Sequence, residues 1–224
     1  MMIVSFSGID GAGKSTQISA LEAWLHKAGL RSQRLSFWDD IVAYAGFRES
    51  MSYRAFKGDQ GIGSPEKPLR RRDKNVTSWP LTAVRFFFYF ADAVSLCWRV
   101  HKLRKNDIDV IIFDRYIYDE LANLPPKHWP VRLFVKFILS FMPKPSVAYV
   151  IDADPVAAIA RKPEYPLEFL RSNREAYLNL SRLAGHITVI EPLPIAEGEK
   201  KVREVFLQEL SCPEATFSGQ PTLQ

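Results

Sequence analysis

Residues 3–16 read Ile3-Val4-Ser5-Phe6-Ser7-Gly8-Ile9-Asp10-Gly11-Ala12-Gly13-Lys14-Ser15-Thr16, an apolar run that breaks into Gly-x-x-x-x-Gly-Lys-Ser and then continues into helix-forming sequence. The reading is strand, phosphate-binding loop, helix. Glycines at 8, 11 and 13 let the backbone curl so that successive N–H groups face inward, toward phosphate oxygens. Lys14 is placed to reach β- and γ-phosphates and is expected to be exposed at the loop, while the Ser15 hydroxyl is placed to ligate Mg²⁺. The helix predicted over roughly 14–27 adds the positive end of its dipole to the same place. The loop Gly8, Asp10, Gly11, Ala12, Gly13, Lys14, Ser15 and Thr16 is therefore the expected binding site for ATP. A glycine-rich turn without a ligand is the competing reading, and the strand before and helix after count against it.

Bulk properties bound the rest. A chain of 224 residues suits one substantial α/β domain. Its 47% hydrophobic and 25% charged residues are those of an ordinary globular protein with a core to bury. A net charge of +5 suits a partner rich in phosphate, but nucleotides meet that description as well as nucleic acids do. Cys97 and Cys212 are too few and too unlike in context for a disulfide framework or metal site, which points to a reducing, cytoplasmic setting. The chain opens directly on its first strand, without a leader pattern. The apolar run from Val131 to Met142 contains Arg132 and Lys136 and is too short to span a bilayer, so it reads as a buried helix with no membrane contact.

After the loop, Leu21, Trp24, Leu25 and Ala28 recur at helical spacing, Gly29 stops the helix, and a short strand is expected over about 31–37. A strand–helix–strand start implies a parallel sheet. Phe37-Trp38-Asp39-Asp40 then falls at the carboxyl end of a strand, where open α/β sheets bind ligands. Asp39 and Asp40 either contact a substrate or cap a helix expected over about 41–56, with capping favoured. Residues 57–79 form a long turn-rich loop containing Arg70-Arg71-Arg72-Asp73-Lys74, readable as an anion-binding flap or as a solvated insertion. A long helix is expected over about 80–104, with Leu81, Val84, Phe87, Phe88, Ala91, Val94, Leu96 and Val100 forming a wide buried face. The buried strand near 109–113 ends in Asp114-Arg115-Tyr116, delivering a carboxylate and a guanidinium to the same sheet edge as the loop. Later strands are expected over 147–151 and 186–190, with helices after Asp152-Ala153-Asp154-Pro155, over 167–183 and over 195–210. Residues 1–210 thus read as a single domain, and the polar segment 211–224 as a disordered tail.

Taken together, Phe6 to Gln17, the helix segment Phe88 to Asp92, Asp114-Arg115-Tyr116, Asp152-Ala153-Asp154-Pro155 and Leu167 to Tyr177 resemble the thymidylate kinase family of P-loop nucleoside monophosphate kinases. The resemblance spans roughly residues 2–190 and is weakest between 38 and 80. It implies a P-loop NTPase fold, a three-layer α/β/α sandwich around a mostly five-stranded parallel sheet. It also implies ATP and Mg²⁺ as cofactors, a nucleotide as acceptor with dTMP the default, and a homodimer. Residue by residue, Lys14 and the loop amides would hold the ATP phosphates, and Ser15 and Asp114 would organise Mg²⁺. Asp10 would face the acceptor's sugar, Arg115 would bridge donor and acceptor phosphates, and Arg161 would supply the catalytic arginine from a lid, because Ala12 leaves none inside the loop.

Departures fall on the acceptor side. The lid at 161–167 is shorter than the family pattern, and an Arg-Glu-Pro-Gly phosphate clamp is replaced by Phe37-Trp38-Asp39-Asp40. Tyr89 falls where the family stacks a phenylalanine on thymine, while Ala93 takes the place of a base-reading arginine. Trp38, Arg85 and Tyr89, with Asp10 and Arg115, are the expected acceptor contacts. Two alternatives stand beside the nucleotide kinase: a P-loop kinase of a non-nucleotide small molecule, and a non-catalytic nucleotide- or nucleic-acid-binding protein. Asp114-Arg115 argues against the last, since a binder needs no such pair.

Overall fold

The computed structural model describes residues 1–42, 79–124 and 128–211. The expected helix beyond residue 42, almost all of the basic loop 57–79 and the tail from 212 lie outside the described residues. Five strands form one parallel sheet: β1 (Met2–Ser7), β2 (Ser32–Ser36), β3 (Val110–Asp114), β4 (Val147–Ile151) and β5 (Ile187–Ile190), in the order β2-β3-β1-β4-β5. β1, β4 and the first four residues of β3 are buried, so these strands are near-continuous apolar runs rather than alternating ones. The helices are α1 (Lys14–Lys27), α2 (Trp79–Leu103), α3 (Ile117–Leu121), α4 (Trp129–Phe141), α5 (Pro155–Arg161), α6 (Leu167–Ala184) and α7 (Ile195–Ser211). α1 packs on α7, while α2 is linked by contacts to α3 and α4, and α3 to α6. Ser211, assigned from sequence to the tail, closes α7.

Two helices differ from their sequence expectation. α2 is apolar around most of its circumference, and periodicity does not say which side faces inward. Phe88, Tyr89, Ala93, Leu96 and Val100 turn to the core, whereas Val84, Phe87 and Val94, expected on the buried face, are exposed. α4, expected to be buried, hides only Val131, Val135, Ile138 and Leu139 and leaves Leu133, Phe137 and Phe141 outside. The run Phe86 to Phe90 divides accordingly: Phe86 stacks on Phe134 of α4 at 4.0 Å, Phe90 lies 6.1 Å from Phe137, and Phe88 and Tyr89 are buried. The short helix α3, just after Tyr116, is too brief to leave a periodic signal.

Between β2 and the first undescribed residue the chain makes one π-helical turn, Phe37–Ile41. Phe37 and Ile41 are buried, and Asp40 accepts the Ser36 N–H at 2.8 Å and lies 3.8 Å from Arg99 of α2. Asp40 thus ties this turn back to Ser36, while the helix that it or Asp39 was expected to cap lies outside the described residues.

Candidate active site

β1 is the central strand, with β3 on one side and β4 on the other, so the carboxyl ends of three strands surround the loop that follows Ser7. In open α/β sheets this crevice is where ligands bind. Register places Phe6 beside Asp114, and the Arg115 N–H donates to the Phe6 carbonyl at 2.9 Å, tying the Asp-Arg pair to the foot of the loop. Gly8 (φ 137°) and Gly11 (φ 80°) are required by both conformation and space. A Cβ on Gly8 would meet the Ile151 carbonyl oxygen at 2.4 Å, and one on Gly11 the Ala158 carbonyl oxygen at 2.4 Å. Strand β4 and helix α5 are therefore packed directly against the loop backbone.

α1 starts on Gly13, which has φ 92°, no capping side chain and no acid in the first turn that follows. A helix start leaves its first N–H groups without intrahelical acceptors, and Gly13 has no side chain with which to cap them. Ser15 and Thr16 are exposed on that turn. Lys14 is not exposed, contrary to expectation. Its side chain folds back along the loop and its Nζ donates to the carbonyls of Gly8 and Ile9 at 2.9 and 2.8 Å. Burial, reinforced by the Arg115 charge, lowers its pKa to about 7 against the pull of Asp10, Asp119 and Asp114.

Arg115 has φ 70°, a left-handed conformation that costs a residue with a Cβ energy and that clusters at functional sites. Its guanidinium bonds to Asp119 at 2.7 Å and to Asp10. Burial alone would favour the neutral form, but Asp119, Tyr177 and Asp10 together raise its pKa above the usual arginine value. Asp119, almost fully buried, accepts from the Ser7 hydroxyl (2.6 Å), the Tyr116 N–H (3.1 Å), the Tyr177 hydroxyl (2.7 Å) and Arg115. Those donors hold the carboxylate in place and satisfy it as an anion. Burial, with the Asp119 charge, keeps the Tyr177 phenol protonated, its pKa well above the normal value. Asp119 was not among the candidates from sequence. The one available signal was its position four residues after Arg115 on a helical start.

Asp114 pairs with Arg34 of β2 at 2.5 Å, a partner also missed from sequence. Asp152, at the end of β4, is held by both Nε and Nη2 of Arg174 at 2.6 Å, and Asp154 caps α5 by accepting the Ala157 N–H at 2.9 Å. The Asp152-Ala153-Asp154-Pro155 motif is thus a structural brace beneath the loop. Arg161 ends α5, exposed, with its Nε donating to the Ala157 carbonyl at 3.2 Å. α5 reaches the loop at Ala158, one turn earlier. Trp38 is exposed on the π turn, edge-on to Phe37 at 5.5 Å, and this turn packs on α2 through a Ser95 hydroxyl to Ile41 carbonyl bond of 2.7 Å. On α2, Tyr89 is buried and Ala93 fully buried, and Arg85 keeps its Nη1 out of solvent without a hydrogen-bond partner. The structure therefore brings Asp10, Lys14, Arg115 and Asp119 into one network, while Trp38, Arg85, Tyr89 and Arg161 sit on flanking elements.

Among the described residues no cluster of His, Cys, Asp or Glu could hold a metal by itself. A hydroxyl at Ser15 and a carboxylate at Asp114 are the donor types Mg²⁺ takes, since it keeps several waters and binds through one or two protein oxygens plus phosphates.

A glycine-lined strand-to-helix loop with a buried lysine, at the centre of a five-stranded parallel sheet, defines a P-loop nucleotide-binding α/β protein. No family model matches the chain. It is 31% identical over 210 residues to a probable thymidylate kinase of Pyrobaculum calidifontis, covering 90% of this chain and 93% of that one. It is 28% identical to the probable thymidylate kinase of Pyrobaculum aerophilum, over 92% of each chain. The solved thymidylate kinase of Candida albicans shares the fold with a TM-score of 0.61 at 18% identity, over 93% of this chain and 92% of that one. The chain belongs to the thymidylate kinase family, and it is a thymidylate kinase-like nucleoside monophosphate kinase, a phosphotransferase.

Proposed function

We propose that the chain transfers the γ-phosphoryl group of ATP, with Mg²⁺, to a nucleoside monophosphate, with dTMP as the default acceptor given the names its relatives carry. Bound MgATP would supply the phosphoryl group and neutralise part of its charge, with Ser15 and Asp114 as the protein oxygens on the metal side. The loop amides from Gly11 to Thr16 and Lys14 hold the donor phosphates. In this role Lys14 leaves the Gly8 and Ile9 carbonyls, or shares them, and gains a full charge. Arg115 spans donor and acceptor phosphates, and Arg161 reaches in from the end of α5. Asp10 faces the acceptor's sugar, and Trp38, Arg85 and Tyr89 line the acceptor side.

The observation that carries this reading is the Asp10–Arg115–Asp119 chain beside Lys14. A guanidinium carries five N–H donors, so its two carboxylate bonds leave donors over for phosphate oxygens. Little covalent work falls to the protein in phosphoryl transfer, and alignment and fixed positive charge do most of it. A left-handed arginine held between two carboxylates is such a fixed charge. A second reading, a non-nucleotide acceptor on the same donor site, is favoured by the fully buried Ala93 where an arginine would read the base. ADP release with MgATP against dTMP, dUMP, the other nucleoside monophosphates and no acceptor separates them. Stimulation by dTMP above all others supports the first reading. ATP binding with no nucleotide stimulation moves the acceptor to another chemical class.

A further inference from the structure

Asp114 and Asp119 flank Arg115 in sequence, yet each is gripped by its own arginine, and the two grips serve opposite faces of the sheet. Paired residues of neighbouring strands point the same way, and successive residues of one strand point opposite ways. Register sets Phe6 of β1 beside Asp114 of β3 and Tyr149 of β4. The Phe6 and Tyr149 rings are 4.9 Å apart, and the Tyr149 hydroxyl donates to the Val202 carbonyl of α7, the helix that packs on α1. Asp114 therefore points to the face that α1 and α7 cover. Ser7, one residue after Phe6, points to the other face, where its hydroxyl meets Asp119 and with it Arg115. The Arg115 network thus belongs to the side of α3 and α6, and Asp114 to the side where α1 offers Ser15.

Arg34 of β2 is what holds Asp114. It stands in register with Ile112, two residues short of Asp114 and so on the same face. Its side chain runs along the sheet toward the carboxyl end, where Nη2 donates to Oδ2 of Asp114 at 2.5 Å. The two side chains are 35% and 23% exposed, and an ion pair this open to water adds little to stability. Its geometry has a different use. The bond takes one carboxylate oxygen, Oδ2, and leaves Oδ1 to other partners. Mg²⁺ demands near-ideal octahedral geometry and keeps several waters, and a carboxylate that serves it is oriented by a hydrogen bond from behind. We propose that Arg34 is a positioning residue for the metal: by fixing Oδ2 it keeps Oδ1 of Asp114 presented to Mg²⁺ or its waters. This role rests on the reading of Asp114 as a metal-side carboxylate.

Calorimetry of ADP binding to the full chain, once in Mg²⁺ and once in EDTA, measures how much the metal adds to affinity without any turnover. Arg34→Gln should cut that gain by about tenfold or more, while the affinity in EDTA and the melting temperature stay nearly unchanged. Arg34→Lys, which keeps a cation but not the planar fork, should recover part of the gain. Asp114→Asn, measured beside them, should lower the gain at least as far. If Asp114→Asn lowers it and Arg34→Gln does not, Arg34 is only a surface ion pair, and the positioning role falls while the metal-side role of Asp114 stands. A gain that rises in Arg34→Gln makes Arg34 a competitor that Mg²⁺ has to displace, and an equal loss of affinity in EDTA makes it a phosphate ligand; either result overturns the positioning role. A gain untouched by Asp114→Asn overturns both roles together.

Discussion

Helices α1 and α5 both begin where a sheet strand ends, yet their first turns are finished in opposite ways. α5 starts on Asp154, whose side chain accepts the Ala157 N–H and satisfies the helix from within. α1 starts on Gly13, with no capping side chain and no acid in its first turn. The difference separates a helix used as a brace from one held open for an anion. α5 closes on itself and presses Ala158 against Gly11; in the proposed site α1 offers its dipole and N–H groups to phosphate.

The comparison breaks hardest at Lys14. Lys14→Met should reduce ADP release by roughly a thousandfold or more, because the loop loses its only side-chain cation while keeping its shape. The same variant should be more stable than the wild-type chain at pH 6. With the folded pKa lowered from 10.5 to about 7, the unfolded chain holds a proton across that window that the folded chain lacks. Wild-type stability therefore rises with pH through the window, and the advantage of Lys14→Met shrinks as it does. Denaturant melts at several pH values would reveal it.

Asp119→Asn comes next. It keeps the shape but weakens the hold on Arg115, and should lower kcat by about a hundredfold with a much smaller change in KM, the pattern of a positioning residue. If Asp119 only stabilises the fold, kcat will be unchanged in the folded fraction. The smallest effect is expected on the braced helix: Asp154→Ala should cost about 1 kcal/mol in a denaturant melt while changing ADP release less than about twofold. A large loss of rate there would mean that α5 is part of the catalytic machinery rather than its support.

Much of this was legible in the sequence because its signals are local. The loop glycines, the apolar runs of β1, β3 and β4, and the Asp-Arg pair at the end of β3 each declare themselves within a few residues, and the parallel order follows from strand–helix–strand alternation. What could not be read depends on partners far along the chain. Asp119 becomes a hub only because Ser7 and Tyr177, 112 and 58 residues away, meet it. The burial of Lys14 comes from its side chain folding back onto Gly8 and Ile9, whereas the motif speaks only of where a phosphate would draw it. The outward face of α2 was hidden by composition, since a helix apolar on nearly every side gives no period from which to choose its buried face.

Calorimetry of MgATP binding at pH 8, in buffers of differing ionisation enthalpy, tests the central claim most directly. Lys14 is largely neutral there in the free protein, and a triphosphate beside it restores the charge, so binding should take up close to about one proton. That uptake should fade toward pH 6 and vanish in Lys14→Met. Tight binding without buffer dependence, the same in both proteins, would contradict the assignment of the α1 start as the phosphate site.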